Sequence, residues 1–425
     1  MFNLVLFEDE RYSKLLPLVH TRPVWELRCG ISTLLEKIQR NYPRAPLHFA
    51  LRPHLADVVG ERSRGGTIGR LRNGNKALFV NGRILASPDM WKLIPPDGPD
   101  EIFTVQGWVG AARLSGPSLQ LISEKMGDIL DARIWDAIRN KVAKSSDVQV
   151  KLVGYLWDLV RENPAEIVAD FRAFGGGGKR KGYVHPHADL YEEKQIVVGE
   201  GSQVMAQVVI DARSGPVYIG KNVEILPHTR IEGPVYIGDR TRILGGKIRT
   251  GSSIGEECRV GGEVEDAILH AHTNKQHDGF LGHAYVGEWV NLGAGTTNSD
   301  LKNNYGPVKV WNDGAFLDTG EMFVGCFIGD HSKTGIGTLI NTGTIIGVAA
   351  NFFGGGVTPK FVPSFAWGGS GGLAEHRIED AIGTARIVMG RRKVEMTPAM
   401  ESLLKNVFEQ TVLERSPQTA PLLTR

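Results

Sequence analysis

Three histidines lie within eight residues of one another in this chain of 425 residues, at His270, His272 and His277. An imidazole titrates near neutral pH, so one of these side chains could act as a general base. Three neighbouring histidines also suggest a zinc site, but no fourth ligand follows at a familiar spacing. A solvated surface loop is the third alternative. The histidines alone leave all three alternatives open.

Two further polar residues near this cluster could bind a substrate. Lys275 could hold a phosphate group as a compact positive charge. Asn291, in the run Val-Asn-Leu-Gly-Ala-Gly-Thr, has a side-chain amide that could form hydrogen bonds. It could equally occupy a turn, where asparagine is common.

Charge and cysteine content exclude several classes of protein. Lys and Arg total 49 against 47 Asp and Glu, which predicts neither a nucleic-acid-binding nor a membrane-surface protein. The three cysteines are far apart in the sequence, as expected of a cytoplasmic protein with reduced thiols. Residues 334–359 carry no charge, but their polar side chains and glycines argue against a membrane span. The N-terminus does not have the features of a signal peptide.

The glycine distribution indicates how the chain divides. Of 53 glycines, 13 fall in residues 1–174, 38 in residues 175–372 and 2 after that. The middle segment has too many for a helical bundle or a doubly wound sheet, so at least two domains of different construction are expected. The run from Gly175 to Gly182 lacks the spacing of a phosphate loop and is interpreted as a flexible linker.

A repeat runs through the glycine-rich segment. Gly-Pro-Val-Tyr-Ile-Gly at 215–220 recurs identically 18 residues later at 233–238. Eighteen residues are three hexapeptides, and each hexapeptide would supply one strand and one turn of a three-sided coil. The aliphatic residue would point inwards, and the glycine after it would supply a positive φ or a close approach of the backbone. About eight stacked coils fit between Ile196 and Gly347. Further aliphatic-glycine pairs occur at Val198-Gly199, Ile254-Gly255, Val286-Gly287, Ile328-Gly329, Ile336-Gly337 and Ile346-Gly347.

The two ends of the chain have other patterns. Short apolar runs alternate with residues at helical spacing in the first 174 positions, which predicts an α/β domain. After Gly372 the pattern is helical, which predicts helices that cap the open end of the coils. The predicted strands are 4–7, 47–51 and 77–80, and the predicted N-terminal helices are 31–40 and 164–174. The predicted domains are an α/β domain at 1–174, a linker at 175–195, a β-helix at 196–372 and a helical cap at 373–425.

The segment Gly279–Thr296 resembles the signature of a known family. Its sequence, Gly-Phe-Leu-Gly-His-Ala-Tyr-Val-Gly-Glu-Trp-Val-Asn-Leu-Gly-Ala-Gly-Thr, is similar to that of the bifunctional N-acetylglucosamine-1-phosphate uridyltransferase/glucosamine-1-phosphate acetyltransferase family. The closer likeness is to a variant branch with an atypical N-terminal domain. Counting back from Asn291, the family's catalytic histidine falls on His277, and its tyrosine three residues later falls on Phe280.

This resemblance implies a left-handed parallel β-helix that assembles as a homotrimer, with each active site between neighbouring β-helices. It also implies N-acetylation of a hexosamine 1-phosphate by acetyl-CoA, with His277 as general base. Further residues are implied to contact the sugar phosphate or the pantetheine. The implied substrate-binding residues are Lys275, Asn291, Asn304, Tyr305 and Lys309, and the implied acetyl-CoA contact is Ala294.

The N-terminal domain is similar to nucleotidyltransferases that join a nucleoside triphosphate to a sugar 1-phosphate. The similarity implies UTP and Mg²⁺ as ligands, although every glycine of the usual phosphate loop is absent from 8–18. The family's metal-binding aspartate appears as Arg83, and Asp158 is the implied metal ligand. The implied nucleotide-binding residues are Arg11, Lys14 and Arg22.

The sequence therefore predicts an enzyme of amino-sugar nucleotide synthesis that carries out acetyl transfer and nucleotidyl transfer. Two alternatives stay open. One is a nucleotidyltransferase whose β-helix only trimerises or regulates. The other is a non-catalytic regulator that binds sugar nucleotides.

Overall fold

A computed structural model describes residues 2–63, 65–69, 71 and 76–415. The chain forms two compact units. The first unit contains the chain up to Leu15, together with Thr21–Leu27 and Ser32–Tyr155. The second contains Leu16–His20, Arg28–Ile31 and the chain from Leu156 onwards. The helix that begins at Leu156 thus groups with the second unit, whereas the sequence places it in the α/β domain.

The first unit is an α/β domain, as predicted. Its strands are β1 (Asn3–Phe7), β2 (Leu47–Ala50), β3 (Thr67–Ile68), β4 (Lys76–Asn81), β5 (Ile84–Leu85), β6 (Glu101–Val105), β7 (Trp108–Ser115), β8 (Ser145–Asp147) and β9 (Lys151–Leu152). Its helices are α1 (Leu34–Asn41), α2 (Ala56–Arg62), α3 (Met90–Leu93), α4 (Gly116–Ser123) and α5 (Ala132–Arg139).

Seven of these strands form one mixed sheet in the order β3-β2-β1-β4-β7-β6-β8. β1 pairs in parallel with β2 on one side and with β4 on the other, whereas β7 runs antiparallel to β4 and β6. All five residues of β1 are buried, which explains why residues 4–7 are a continuous apolar run rather than an alternating one. Helix α1 begins after Thr33, whose hydroxyl accepts a hydrogen bond from the backbone of Glu36.

The second unit contains a three-sided parallel β-helix, which confirms the predicted fold class. Each of the first six coils gives one strand to each of three sheets, and later coils extend the third sheet. Sheet I contains β10 (Tyr183–Val184), β13 (Gln203–Val204), β16 (Glu224–Ile225), β19 (Arg242–Ile243), β22 (Arg259–Val260) and β25 (Asn274–Lys275). Sheet II contains β11 (Asp189–Tyr191), β14 (Val209–Asp211), β17 (Arg230–Glu232), β20 (Lys247–Ile248), β23 (Glu263–Glu265) and β26 (Phe280–Gly282).

Sheet III has nine strands. They are β12 (Ile196–Val198), β15 (Val217–Ile219), β18 (Val235–Ile237), β21 (Ser252–Ile254), β24 (Ile268–Leu269), β27 (Tyr285–Val286), β31 (Cys326–Ile328), β34 (Thr344–Ile346) and β36 (Phe361–Val362). The identical hexapeptides stack on each other, with Val217 opposite Val235 and Ile219 opposite Ile237. The last coils and their loops add β28 (Thr297–Asn298), β29 (Lys309–Asn312), β30 (Ala315–Asp318), β32 (Lys333–Thr334), β33 (Leu339–Ile340), β35 (Asn351–Phe352), β37 (Ala366–Gly369) and β38 (Gly372–Glu375).

The aliphatic-glycine pairs show what the glycines do. At Gly255 a Cβ atom would lie 1.7 Å from the carbonyl oxygen of His270 in the next coil, so close backbone approach is what requires glycine. The positive φ falls two residues later, on Glu257 at 59°. One predicted pair differs: Ile336 is 82% exposed, because it lies in a turn after β32 rather than inside a coil.

Three helices complete the second unit, and one of them is longer than predicted. Helix α6 spans Leu156–Ala173 and contains Pro164, whereas the sequence predicts a helix that starts at this proline. The side-chain amide of Asn163 donates to the carbonyl oxygen of Gly251 at 2.7 Å, which fixes α6 to the β-helix on the turn that holds the proline. The C-terminal helices are α7 (Ile378–Gly390) and α8 (Pro398–Gln410).

The predicted linker also differs from the structure. Strands β10 and β11 lie within 175–195 and pair with β13 and β14, so the first coil begins inside this segment. No helix in the described part of the chain is both long and apolar enough to cross a membrane.

Candidate functional site

The carboxyl ends of β1 and β4 are where a nucleotide would be expected in the first unit. β1 lies between β2 and β4, and ligands of open α/β sheets bind at the point where the strand order reverses. The chain leaves β1 at Glu8-Asp9 and leaves β4 at Gly82-Arg83. The contacts of these residues decide what this crevice can bind.

Glu8 is fully buried and its charge is neutralised. Its carboxylate accepts two hydrogen bonds from the Arg52 guanidinium, each at 2.9 Å, and one from the backbone N–H of Val24 at 3.0 Å. Arg52 also donates to the carbonyl oxygen of Arg22 at 2.9 Å. The acidic residue in the loop is therefore part of the framework of the first unit.

Asp9 and Arg83 form a second buried ion pair. Arg83 Nε donates to Asp9 Oδ1 at 2.9 Å, and the amide of Asn81 donates to Asp9 Oδ2 at 2.8 Å. A further N–H of Arg83 donates to the carbonyl oxygen of Val153 at 2.6 Å. The two departures from the nucleotidyltransferase pattern, an acid in the loop and an arginine at the metal-binding position, thus neutralise each other.

The predicted nucleotide-binding residues have different surroundings. The Arg11 guanidinium stacks over the Trp108 ring at 4.8 Å, and Lys14 is half-buried in the same short 3-10 helix, Glu10–Leu15. Arg22 is buried. A cavity beside Trp108 measures only about 120 Å³. That volume is smaller than the roughly 300 Å³ at which ligand pockets begin.

The two carboxylates that directly follow β1 do not fit a magnesium site, because Glu8 is paired with Arg52 and Asp9 with Arg83. Asp158 lies in the first turn of α6, in the second unit, where its carboxylate pairs with Arg161 at 3.0 Å. Among the residues that the structure describes, no group of three or more His, Cys, Asp or Glu side chains is placed to hold a metal ion. The metal role of Asp158 stays a prediction.

In the β-helix, the three histidines have separate surroundings. His270 Nδ1 lies 3.1 Å from the hydroxyl of Tyr285, in the interior. The ring of His272 stacks on Trp289, with ring centroids 4.1 Å apart. His277 is exposed on the turn between β25 and β26. Of the three, His277 is the most exposed to solvent, whereas His272 is half-buried and His270 is buried.

Lys275 supports the turn that carries His277. Its side chain is 2% exposed, and Nζ donates to the carbonyl oxygens of His277 at 2.6 Å and Gly261 at 3.2 Å. Burial lowers the pKa of this ammonium group to about 8, although Asp278 opposes the shift. The structure therefore places Lys275 inside the coil, holding the backbone of His277, rather than on a surface open to a phosphate.

Asn291 stands in a column of polar residues on sheet I. Successive coils place Arg242 opposite Arg259, Arg259 opposite Asn274, Asn274 opposite Asn291, and Asn291 opposite Lys333. The amide of Asn274 donates to Asn291 Oδ1 at 3.2 Å. These residues and Gln276 line a cavity of about 450 Å³, large enough for a small organic ligand. His277 directly follows Gln276 in the chain.

The remaining predicted contacts lie further along the chain. Asn304 and Tyr305 are exposed on the loop before β29, and Tyr305 is 66% exposed. Lys309 is exposed at the start of β29. Ala294 is half-buried, and its carbonyl oxygen accepts a hydrogen bond from Gly337 at 2.7 Å. Among the described residues, no hydrogen bond or ion pair joins Asn304, Tyr305 or Lys309 to Asn291.

The sequence interpretation missed a histidine that the fold does engage. His283 Nδ1 lies 2.9 Å from Asp300 and its Nε2 lies 3.7 Å from Asp266. These carboxylates raise the pKa of His283 against the effect of burial. The imidazole stacks on Phe323 at 5.3 Å. The signal was weak because Asp300 and Asp266 approach His283 only once the coils are stacked.

Comparison with known proteins identifies the N-terminal region. Residues 4–177 match the sugar nucleotidyl transferase family. That matched region contains the crevice beside β1, where Glu8 is paired with Arg52 and Asp9 with Arg83.

Two curated relatives are named as bifunctional proteins, and the name of one of them gives both activities. The chain is 36% identical over 151 residues to the bifunctional protein GlmU of Acidithiobacillus ferrooxidans, covering 34% of this chain and 32% of that protein. It is 34% identical over 109 residues to a bifunctional sugar-1-phosphate nucleotidylyltransferase/acetyltransferase of Sulfurisphaera tokodaii, covering 25% and 27%. The match thus spans about a third of the length of these relatives.

Among solved structures, the UDP-N-acetylglucosamine acyltransferase of Francisella novicida aligns with 57% of this chain and 88% of its own, at 16% identity and a TM-score of 0.29. The fold assignment depends instead on the sheet order described above. The family match and the GlmU relatives confirm the resemblance inferred from the signature segment.

Proposed function

We propose that this protein is a transferase of amino-sugar nucleotide synthesis that N-acetylates a hexosamine 1-phosphate with acetyl-CoA. The observation that carries the proposal is the polar column of sheet I, which lines a cavity of about 450 Å³ next to the turn that presents His277. The name of the Sulfurisphaera tokodaii relative, which includes acetyltransferase, supports the same kind of reaction.

In the proposed reaction, the amine of the sugar attacks the carbonyl carbon of the thioester. A C–N bond forms, the C–S bond breaks, and the thiolate of coenzyme A leaves. The amine must be unprotonated to attack, so His277 accepts the proton that the nitrogen loses and can pass it to the departing sulfur. Its exposed position leaves the imidazole free to meet the amine.

The other side chains have supporting roles in this proposal. Asn291 forms hydrogen bonds with the sugar, and Ala294 lies along the pantetheine. Lys275 acts as a positioning residue, because its ammonium group holds the carbonyl oxygen of His277. Asn304, Tyr305 and Lys309 contact the acceptor from the loop before and within β29. We propose that the protein works as a homotrimer in the cytoplasm, with that loop reaching the site of a neighbouring copy.

The second part of the proposal assigns nucleotidyl transfer from a nucleoside triphosphate to the first unit. It is supported by the family match over residues 4–177 and by the strand order at β1. The buried pairs Glu8–Arg52 and Asp9–Arg83 engage the two carboxylates that directly follow β1, so neither is available to a metal ion. In this proposal the phosphates are therefore met by side chains such as Arg11 and Lys14.

Two assays on the purified protein test the proposal. Thiol release from acetyl-CoA with glucosamine 1-phosphate reports acetyl transfer, and pyrophosphate release from UTP with N-acetylglucosamine 1-phosphate reports nucleotidyl transfer. His277→Ala should abolish thiol release without changing the fold, whereas His228→Ala, which removes another exposed turn histidine of the β-helix, should leave it unchanged.

The same assays separate the alternatives. Pyrophosphate release without thiol release would assign the β-helix a purely structural or regulatory role. No product in either assay would favour a sugar-nucleotide-binding regulator. Unchanged thiol release by His277→Ala would remove His277 from the proposed chemistry.

A further inference from the structure

Positive charge is concentrated around the cavity on sheet I. Five of the residues that line it are lysines or arginines. Its described lining contains no aspartate or glutamate. The basic residues are Arg242, Arg259, Lys333, Arg391 and Arg392. A cavity of about 450 Å³ with this lining has a strongly positive electrostatic potential.

Two of these five cations have carboxylate partners nearby. Arg242 lies 2.8 Å from Glu224, and Arg259 lies 3.8 Å from Glu257. The side chains of Lys333, Arg391 and Arg392 form no ion pair with a carboxylate among the described residues. Three positive charges at one cavity are therefore not balanced by the described part of the protein.

The arrangement is held by two different parts of the second unit. Arg391 and Arg392 follow the last residue of α7, and an N–H of Arg392 donates to Asn274 Oδ1 at 2.6 Å. This hydrogen bond ties the end of α7 to the polar column. Lys333 belongs to the column itself, where its ammonium group donates to the carbonyl oxygen of His331 at 2.5 Å.

Burial is the main cause of the lowered pKa values of two of these groups. Burial, followed by the charge of Arg392, lowers the pKa of Arg259. Burial lowers the pKa of Lys333 to about 8. Grouping like charges in this way costs free energy, and an anion in the cavity would recover it.

We infer that this cavity binds the diphosphate group of a nucleotide, with Lys333, Arg391 and Arg392 as its counter-charges. Guanidinium groups bind phosphate oxygens through pairs of parallel hydrogen bonds. The three cations come from two separate elements, the end of α7 and the column of sheet I, so they can contact the oxygens of two adjacent phosphate groups together. The stacked rings of His272 and Trp289 also line the cavity and offer a surface beside the phosphates. The inference rests on the proposed function, because the two molecules of that function that carry a diphosphate group are coenzyme A and a nucleotide sugar.

Binding can be measured without turnover, by calorimetry on the full chain. The probes are coenzyme A, UDP-N-acetylglucosamine and inorganic phosphate. The test variant is the double substitution Arg391→Gln and Arg392→Gln. The matched control is Arg377→Gln, which removes an exposed arginine just before the other end of α7. Circular dichroism and the melting temperature show whether the variants are folded.

We expect wild type to bind at least one of the two nucleotides more tightly than inorganic phosphate. The double variant should bind that nucleotide at least tenfold more weakly, and Arg377→Gln should stay within twofold of wild type. If the double variant loses affinity for coenzyme A alone, the ligand of the cavity is the acyl donor. If it loses affinity for UDP-N-acetylglucosamine alone, the ligand is a nucleotide sugar.

Two results would overturn the inference: no nucleotide binding by wild type, or equal binding by a folded double variant. Thiol release measured on the same samples keeps the two proposals distinct. A protein that binds a nucleotide through these arginines but releases no thiol contradicts the acetyl-transfer proposal and leaves the binding site intact.

Discussion

The crevice of the first unit and the cavity on sheet I differ in whether their charged side chains have partners of opposite charge. In the crevice, Glu8 and Asp9 each meet an arginine, so the charges cancel inside the protein. On sheet I, Lys333, Arg391 and Arg392 line a cavity whose described lining includes no acidic side chain. The charges in the crevice are therefore balanced without a ligand. The positive charges at the cavity are not balanced by the described residues, so an anionic ligand would balance them.

This contrast shows why a family match alone is a poor guide to the working site. The sugar nucleotidyl transferase match covers the unit in which the two carboxylates after β1 are paired with arginines. The cations without a carboxylate partner among the described residues lie on the β-helix, beside the column that includes Asn291. This difference supports the proposal that the β-helix binds an anionic ligand.

The largest expected effect is on stability. Arg83→Met should lower the free energy of unfolding by about 3–5 kcal/mol, because it leaves the buried carboxylate of Asp9 without its cation. Arg391→Met should change it by less than about 0.5 kcal/mol, because Arg391 is exposed and has no ion pair among the described residues. Urea unfolding of both variants measures the difference. If both variants lower the free energy of unfolding by the same small amount, the Asp9–Arg83 ion pair does not stabilise the first unit.

The next prediction compares the two activities. Pyrophosphate release should be at least about 100-fold slower than thiol release. A metal ion's stabilisation of the phosphoryl transition state is worth several kcal/mol, and the two carboxylates that directly follow β1 are already paired with arginines. The two assays on one preparation give the ratio. A pyrophosphate rate equal to or above the thiol rate would show that the ion pairs do not limit the crevice.

A smaller effect concerns pH. The pKa of Lys333 is about 8 in the folded chain and would return to its ordinary value of 10.5 on unfolding. Between these values the unfolded chain holds a proton that the folded chain lacks, so the contribution of Lys333 to stability rises with pH, by at most about 1.4 kcal/mol per pH unit.

The variant Lys333→Met should therefore show a shallower rise in stability between pH 8 and pH 10 than wild type. Lys275 and Lys360, whose pKa values are also lowered to about 8 by burial, keep contributing in both proteins. Unfolding midpoints at several pH values test this. Identical slopes would mean that Lys333 is not desolvated beside the cavity.

The sequence predicted the repeating parts of the fold well. The identical hexapeptides at 215–220 and 233–238 specify both the inward aliphatic positions and the stacking register, because each coil repeats one local pattern. The aliphatic residue of such a pair does not always point inwards. Ile336 is exposed because its aliphatic-glycine pair lies in a turn. Helix α6 was predicted too short because a proline usually marks the start of a helix.

The candidate site was less predictable. Asn291 could be named from the signature segment, but its neighbours Arg259 and Lys333 lie in other coils, at unequal separations along the chain that no fixed period would reveal. Arg391 and Arg392 reach the cavity from beyond α7, through tertiary packing. The pairing of Asp9 with Arg83 is likewise a long-range contact, visible only once β1 and β4 are adjacent.

The most direct test of the proposed function is thiol release from acetyl-CoA in the presence of glucosamine 1-phosphate, measured for wild type, His277→Ala and His228→Ala. We predict turnover by wild type and by His228→Ala, and a loss of about 100-fold or more in His277→Ala, the scale of removing a general base. Turnover by folded His277→Ala at the wild-type rate would contradict the role of His277 as the general base.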